Sequence, residues 1–258
     1  MATHPLLHVR GLSKEYSPGK GCLDVHFDLY PGEVLGIVGE SGSGKSTLLG
    51  SLAGQILPDS GSMAYCTGQG EYLRLENMSE VQWRALLRSE WGFVHQHARD
   101  GLRMNVSAGA NIGEPLMTNG ARHYGDIREV AGKWMRDVEL DESRMDDFPT
   151  QFSGGMQQRL QIARALVTQP RLVLMDEPTG GLDVSVQARL LDLIRHLVTE
   201  LKLAVVIVTH DLAVVRLLAQ RLLVMRRGRV VETGLTDQVL DDPQHPYTQL
   251  LVSSVLTP

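Results

Sequence analysis

Cysteine is almost missing from this chain: Cys22 and Cys66 are the only two among 258 residues. That excludes a disulfide framework and a cysteine-cluster metal centre, and it suits a reducing compartment. Long apolar runs are missing as well. The longest, such as Leu203 to Val208 (LAVVIV), have strand length, well short of the roughly 18–20 residues a membrane span requires. Work at a membrane would need another chain to do the spanning. The opening MATHPLLHVRGL has neither the charged nor the long apolar region of a signal peptide, so a cytoplasmic location is expected. There is no basic excess either: the net charge is -5 and the pI about 6.0. This excludes a global positive field of the kind that binds nucleic acid, while leaving local patches open. Internal repeats and low-complexity tracts are absent.

What is present, 43% hydrophobic residues over this length, suffices for one large α/β domain or two small ones. LLHVRGL and LDVHFDLY, separated by SPGKG, read as strands joined by a turn. Val34 to Val38 (VLGIV) is an apolar strand, followed by a glycine-rich loop and a helix over Ser46 to Ala53. From about Arg99 to Thr150 strand-like runs are few, and Ile127, Val130, Ala131, Trp134 and Val138 share one helical face. This region predicts a mostly helical insertion. After Ser153 the alternation returns: a helix over Met156 to Val167, a buried strand over Arg171 to Met175 and a long helix over Val184 to Leu201. A strand over Leu203 to Val208, a helix over Leu212 to Ala219 and a hairpin closed by Arg227-Gly228 follow. Strands alternating with helices imply parallel pairing under helix-covered faces.

Gly39 to Thr47 reads GESGSGKST and fits G-x-x-x-x-G-K-[ST]. Glycines permit the positive φ values that turn successive N–H groups inward, and those donors with the following helix N-terminus hold phosphate oxygens. Lys45 supplies a point charge to the β- and γ-phosphates, and the Ser46 hydroxyl can ligate Mg²⁺. The buried strand RLVLM runs into Asp176-Glu177, which places both carboxylates at the strand's C-terminal edge beside that loop. Asp176 would hold Mg²⁺ and Glu177 would polarise an attacking water. By the same geometry His210, after VVIVT, would reach the γ-phosphate. FSGGMQQR, Phe152 to Arg159, opens another helix and so offers a second anion-binding N-terminus. One nucleotide does not need two cradles on one chain, so this one is expected to grip ATP held by another subunit.

GESGSGKST, Gln96, FSGGMQQR, LVLMDEPTGGLD and THD follow one another in the order and approximate spacing of an ABC ATPase. The chain resembles that family over nearly its whole length. The resemblance implies a single ABC nucleotide-binding domain, 1–258. Its α/β P-loop NTPase (RecA-like) core would cover about 1–96 and 160–240, with an N-terminal antiparallel β subdomain. A helical signature subdomain would span about 97–159, and a short C-terminal tail 241–258. Within Gly39 to Thr47 it implies that Gly39, Glu40, Ser41, Gly42, Ser43, Gly44, Lys45, Ser46 and Thr47 line the nucleotide. It further implies that Tyr16 stacks on adenine and that Gln96 senses Mg²⁺ and the attacking water. Ser153, Gly154 and Gly155 would face the partner's γ-phosphate, Met156 and Gln157 would also bind nucleotide, and so would Asp183, in the loop (Gly180 to Asp183) crossing the dimer interface. Two departures stand out. Met156 replaces the usual Gln, and Gly180-Gly181 replaces the commoner Ser-Ala; each either tunes dimer closure or has no effect.

FSGGMQQR with LDVSVQA, and the tail QHPYTQLL (Gln244 to Leu251), look like the peptide importer branch. There the tail often leads into a cysteine-bearing extension, whereas this chain ends at Pro258 with no cysteine beyond Cys66. The stretch VHQHARDGLRMNVSAGANIGEPL, Val94 to Leu116, also departs from the importer pattern. Together these features resemble the ABC ATPase subunit of the carbon–phosphorus lyase system for phosphonate use. That resemblance implies docking on a soluble lyase core, and because the chain carries every motif a homodimer with two complete sites is expected, with a heterodimer left open. An importer subunit acting on a membrane permease stays open as the alternative. Action on nucleic acid is disfavoured by the negative charge. His95 and His97 read either as part of a docking face or as polar residues at a solvated interface, and Arg99, Asp100 and Arg103 as a solvated loop. The run Ser107-Ala108-Gly109-Ala110 reads as a docking surface within 97–116 or as a tight helix start.

Overall fold

The structure, a computed structural model, describes residues 4–255. Among the described residues ten strands form two sheets. In chain order they are β1 (Leu7–Ser17), β2 (Lys20–Leu29), β3 (Val34–Val38), β4 (Ser60–Cys66) and β5 (Tyr72–Arg74), then β6 (Trp91–Val94), β7 (Leu172–Asp176), β8 (Ala204–Val208), β9 (Arg221–Arg226) and β10 (Arg229–Leu235). The smaller sheet is antiparallel in the order β2-β1-β4-β5, and the larger runs β10-β9-β3-β8-β7-β6. All pairs of the larger sheet are parallel except β9/β10, whose hairpin turns on Arg227 (φ 47) and Gly228 (φ 82). Two successive positive φ values match the right-handed twist of the strands they join.

Among the described residues the ten α-helices are α1 (Lys45–Leu52), α2 (Glu80–Ser89), α3 (Ala98–Gly101), α4 (Ala108–Thr118), α5 (Tyr124–Asp137), α6 (Gly154–Leu166), α7 (Val184–Leu201), α8 (Leu212–Leu218), α9 (Thr236–Asp241) and α10 (Pro246–Val255). The larger sheet divides the core because successive side chains on a strand point to opposite faces. Val173 and Met175 of β7, with Val205 and Ile207 of β8, join the apolar faces of α6, α7 and α8. Their alternates Leu172, Leu174, Val206 and Val208 pack on α1 and the antiparallel sheet. Burying each such side chain is worth about 1.5–3 kcal/mol, which is why β3 and β8, buried at every position, read as unbroken apolar runs.

The helical insertion is α3 to α5 plus the start of α6. The expected boundary near 159 falls inside α6, which runs unbroken from Gly154 to Leu166 and packs on both α4 and β6. The stretch between α1 and β6, for which the sequence yields no elements, contains β4, β5 and α2. Only Leu86 of α2 is buried, so its apolar stripe is too thin to announce a helix. Among the described residues no helix is long and apolar enough to cross a membrane.

Candidate functional site

Four chemically loaded segments leave the same edge of the parallel sheet, because β3, β6, β7 and β8 all run one way. After β3, Gly39 (φ 152) presses on β9: a Cβ there would lie 2.2 Å from Met225 O. At Gly44 (φ 105) a Cβ would lie 2.0 Å from Gly21 O. No other residue fits either place. Ser43 and Lys45 are buried, and Lys45 Nζ donates to Gly39 O at 2.7 Å and Glu40 O at 2.9 Å. Burial pulls the Lys45 ammonium below its ordinary pKa, while Glu177, Asp176 and Glu40 pull it back up.

At the end of β7, Glu177 takes a left-handed backbone (φ 41). That conformation is costly for a residue with a Cβ and is held only by its surroundings. Here Glu177 N donates to Val208 O at 2.8 Å, and Glu177 O accepts from Gly180 N at 2.9 Å. The carboxylate is met from both sides, with His210 Nδ1 3.0 Å from Oε1 and Gln96 Nε2 donating to Oε2 at 3.4 Å. Asp176 is half-buried. Burial raises its carboxyl above the ordinary range, the Glu177 charge adds to this, and Lys45 opposes it.

A cleft of about 850 Å³ is lined by Tyr16, Lys20, Gly21, residues 40–42 and 44–47, Gln96, Glu177 and His210, with Gly39 and Asp176 outside its lining. Tyr16, Gln96, Glu177 and His210 are thus brought to the phosphate loop from four separate elements. Lys20 and Gly21 were not picked out from the sequence, although SPGKG beside Tyr16 carried the signal. Ser43 faces Lys45 Nζ at 3.5 Å and does not line the cleft. Among the described residues no cluster of three or more His, Cys, Asp or Glu could hold a metal. Of the oxygen donors expected to hold Mg²⁺, Ser46 and Gln96 line the cleft, whereas Asp176 does not border it.

None of Ser153, Gly154, Gly155, Met156, Gln157 and Asp183 borders this cleft. Ser153 and Gly154 are exposed at the start of α6, where the Ser153 side chain accepts from Met156 N at 3.4 Å. Gly155 is buried: a Cβ would lie 2.5 Å from Val186 Cγ1. Gln157 departs from the expectation that it faces nucleotide. Its side chain points inward, donating to Pro149 O at 2.8 Å and Phe152 O at 3.1 Å, because a helix N-terminus opening on a tight loop leaves carbonyls that need donors. Met156 is also turned in, its sulfur accepting from Arg144 Nη1 at 3.7 Å. Asp183 is exposed at the start of α7. Gly181 holds φ 73, a reason for glycine at that departure from the commoner Ser-Ala.

Residues 94–116 divide. His95 is half-buried, its ring 4.4 Å from Phe93, and burial lowers its pKa. Its backbone is held by Gln158 and Gln161 of α6, contacts that no local sequence pattern announces. Ala108 and Gly109 are buried, a Cβ on Gly109 would lie 2.3 Å from Met145 Cγ, and Ser107 caps α4. The small-residue run is therefore a tight helix start. His97, Arg99 and Asp100 are exposed, and Arg103 pairs with Glu114 at 2.5 Å. Beside them lies a groove of about 530 Å³ whose lining includes Arg88, His95, Asp100, Arg103, Glu114 and Arg164.

Comparison with known proteins places this geometry. The sequence model of the ABC transporter family matches residues 22–180, and that of the oligopeptide/dipeptide transporter C-terminal region matches 231–258. The chain is 69% identical to PhnK of Escherichia coli (strain K12), an ATP-binding protein named for phosphonates utilization, over 98% of both chains. It is 39% identical to the oligopeptide transport ATP-binding protein OppF of the same organism, over 89% of this chain and 67% of that one. Among solved structures, the dimeric post-hydrolysis state of the ATP-binding cassette MJ0796 bound to ADP and Pi superposes with a TM-score of 0.78 at 29% identity, covering 89% of this chain and 98% of that one. With the family model spanning residues 22–180 and a relative 69% identical over 98% of both chains, the chain belongs to the ABC transporter family of ATP-hydrolysing proteins.

Proposed function

We propose that the chain binds ATP with Mg²⁺ in the 850 Å³ cleft, pairs head to tail with a second copy, and docks in the cytoplasm on a soluble carbon–phosphorus lyase core used in phosphonate catabolism. The observation that carries the lyase reading is the 69% identity to PhnK over 98% of both chains. The departure of 97–116 from the importer pattern supports it. So does the polar groove beside Gln96, where a docked partner would be felt at the ATP site. A peptide-type importer subunit is the second reading, favoured by the match of 231–258 to the oligopeptide/dipeptide transporter C-terminal region. Neither reading involves direct contact with nucleic acid.

In this reading Tyr16 stacks on adenine, while Lys45 and the N–H groups opening α1 hold the β- and γ-phosphate oxygens. Ser46, Asp176 and the Gln96 amide oxygen, hard donors of the kind Mg²⁺ takes, would hold the ion beside the triphosphate, since the protein alone offers too few ligands for a closed cage. The ion, when bound, neutralises charge on the transferring phosphoryl group. Glu177 accepts the proton of the attacking water as the bond to the ADP oxygen breaks, and His210 orients the Glu177 carboxylate. Ser153 and Gly154 of the second copy, at the positive end of its α6, close on the γ-phosphate.

The test is purification of the tagged chain without detergent from phosphonate-grown cells, with mass-spectrometric identification of what accompanies it. Lyase core subunits are expected. Recovery only with a permease from a solubilised membrane fraction would replace this reading with the importer.

A further inference from the structure

The C-terminal tail closes on the back of the phosphate loop. Tyr247, in the first turn of α10, is 6% exposed, and its hydroxyl accepts from Glu40 N at 2.9 Å. The N–H of Glu40 and the carbonyl of Gly39 belong to one planar peptide unit. The carbonyl accepts from Lys45 Nζ at 2.7 Å. One rigid plane is therefore gripped on one side by Tyr247 and on the other by the ammonium that meets phosphate. Gly39 has no side chain to fix that plane, and its φ of 152 belongs to glycine's wide range. The constraint has to come from a neighbour.

Tyr247 is itself fixed. The Arg226 guanidinium lies over its ring at 4.7 Å from the centroid. Arg226 ends β9, next to Met225, whose carbonyl forces glycine at 39. The approach of the tail is set by Glu232 on β10, whose carboxylate accepts from Gln244 N at 2.8 Å and His245 N at 3.0 Å. His245 Nδ1 in turn accepts from Tyr247 N at 3.1 Å. Neither Tyr247 nor any other described tail residue borders the nucleotide cleft, so the hydroxyl acts through the loop and not on the ligand.

We propose that Tyr247 is a positioning residue for ATP: its hydroxyl fixes the Gly39–Glu40 peptide and so preorganises the phosphate loop and Lys45 for the triphosphate. Preorganisation strengthens binding by removing an ordering cost that the ligand would otherwise meet. The proposal rests on the assignment of Gly39 to Thr47 to ATP.

The test compares wild type, Tyr247→Phe and Lys45→Ala as full chains. Tyr247→Phe keeps the ring and its stacking on Arg226 and loses only the hydroxyl. Without added nucleotide, the Glu40 amide is expected to exchange its hydrogen faster in Tyr247→Phe than in wild type. The KM for ATP is expected to rise about 3- to 10-fold, the range for one lost hydrogen bond, with kcat at saturation within about twofold, the pattern of lost uniform binding. A KM equal to wild type overturns the proposal, whether or not the melting temperature falls, because Tyr247 would then only pack the tail. A wild-type chain with no saturable ATP binding overturns the ATP assignment and the proposal together. Wild-type binding that Lys45→Ala weakens and Tyr247→Phe leaves unmoved overturns the proposal alone.

Discussion

Gln161 clasps the backbone of His95 on both sides: its Oε1 accepts from His95 N at 2.7 Å and its Nε2 donates to His95 O at 3.0 Å. Gln158 Nε2 adds a further bond to the same carbonyl at 3.2 Å. Both glutamines ride on α6, the helix that begins at the signature glycines. The next residue, Gln96, touches Glu177. The middle of α6 is thereby tied, through His95, to a side chain that lines the cleft. Space for the clasp is left by Gly101, where a Cβ would lie 2.2 Å from Gln161 Oε1.

Replacing Gln161 with Leu keeps the bulk and removes the clasp. The expected outcome is a fall in kcat of about 10-fold, since two hydrogen bonds are lost, with ATP affinity close to wild type. Steady-state phosphate release beside an equilibrium titration measures both. An unchanged kcat would limit the clasp to a folding role.

Glu177→Gln keeps both contacts of the side chain in size but removes the proton acceptor. Turnover should drop by about 100-fold or more, in the range of general-base catalysis. ATP binding should persist, and with hydrolysis blocked the chain should elute as a dimer in the presence of ATP. Near-normal turnover would show that another group takes the proton.

Lys45→Ala removes the buried ammonium that bonds Gly39 O and Glu40 O. The Kd for ATP should rise at least about 10-fold, as expected for losing a charge-assisted phosphate contact. A nucleotide titration checks this directly.

The raised pKa of Asp176 has a defined sign. Burial and the Glu177 charge make the folded chain hold that proton more tightly than the unfolded chain. The associated stability is therefore present at low pH and is lost as pH rises through the folded pKa. Asp176→Asn removes the charge without changing the shape. Its melting temperature should exceed wild type at neutral pH, and the gap should close on acidification, while Mg²⁺-dependent turnover collapses. A neutral-pH melting temperature below wild type would refute the sign.

Asn111 is fully buried. Its Oδ1 accepts from Arg103 N at 2.8 Å, and its Nδ2 donates to the carbonyls of Arg103, Val106 and Ser107 at 3.0, 2.9 and 3.1 Å. Asn111→Ala strands these groups and should cost about 2–4 kcal/mol. Urea unfolding would register this as a lower midpoint.

Much of this molecule was legible in its sequence, and for a local reason. A phosphate loop works through consecutive backbone groups and one lysine, so Gly39 to Thr47 carry their geometry within nine letters. β3 over Val34–Val38 and α7 over Val184–Leu201 lie where their patterns place them, because burial on both faces and a long 3.6-residue stripe are periodic signals. The cleft brings Gln96, Glu177 and His210 together because parallel strands deliver their ends to one edge. What only the tertiary structure decided is where each side chain spends its hydrogen bonds. Gln157 and Gln161 look equivalent on paper, yet one supports the signature loop and the other holds His95. Tyr247 meets Glu40 across 207 positions, a separation at which no local pattern survives. Such pairings follow from which backbone groups are left unsatisfied once the core has packed, and that is settled by the whole chain at once.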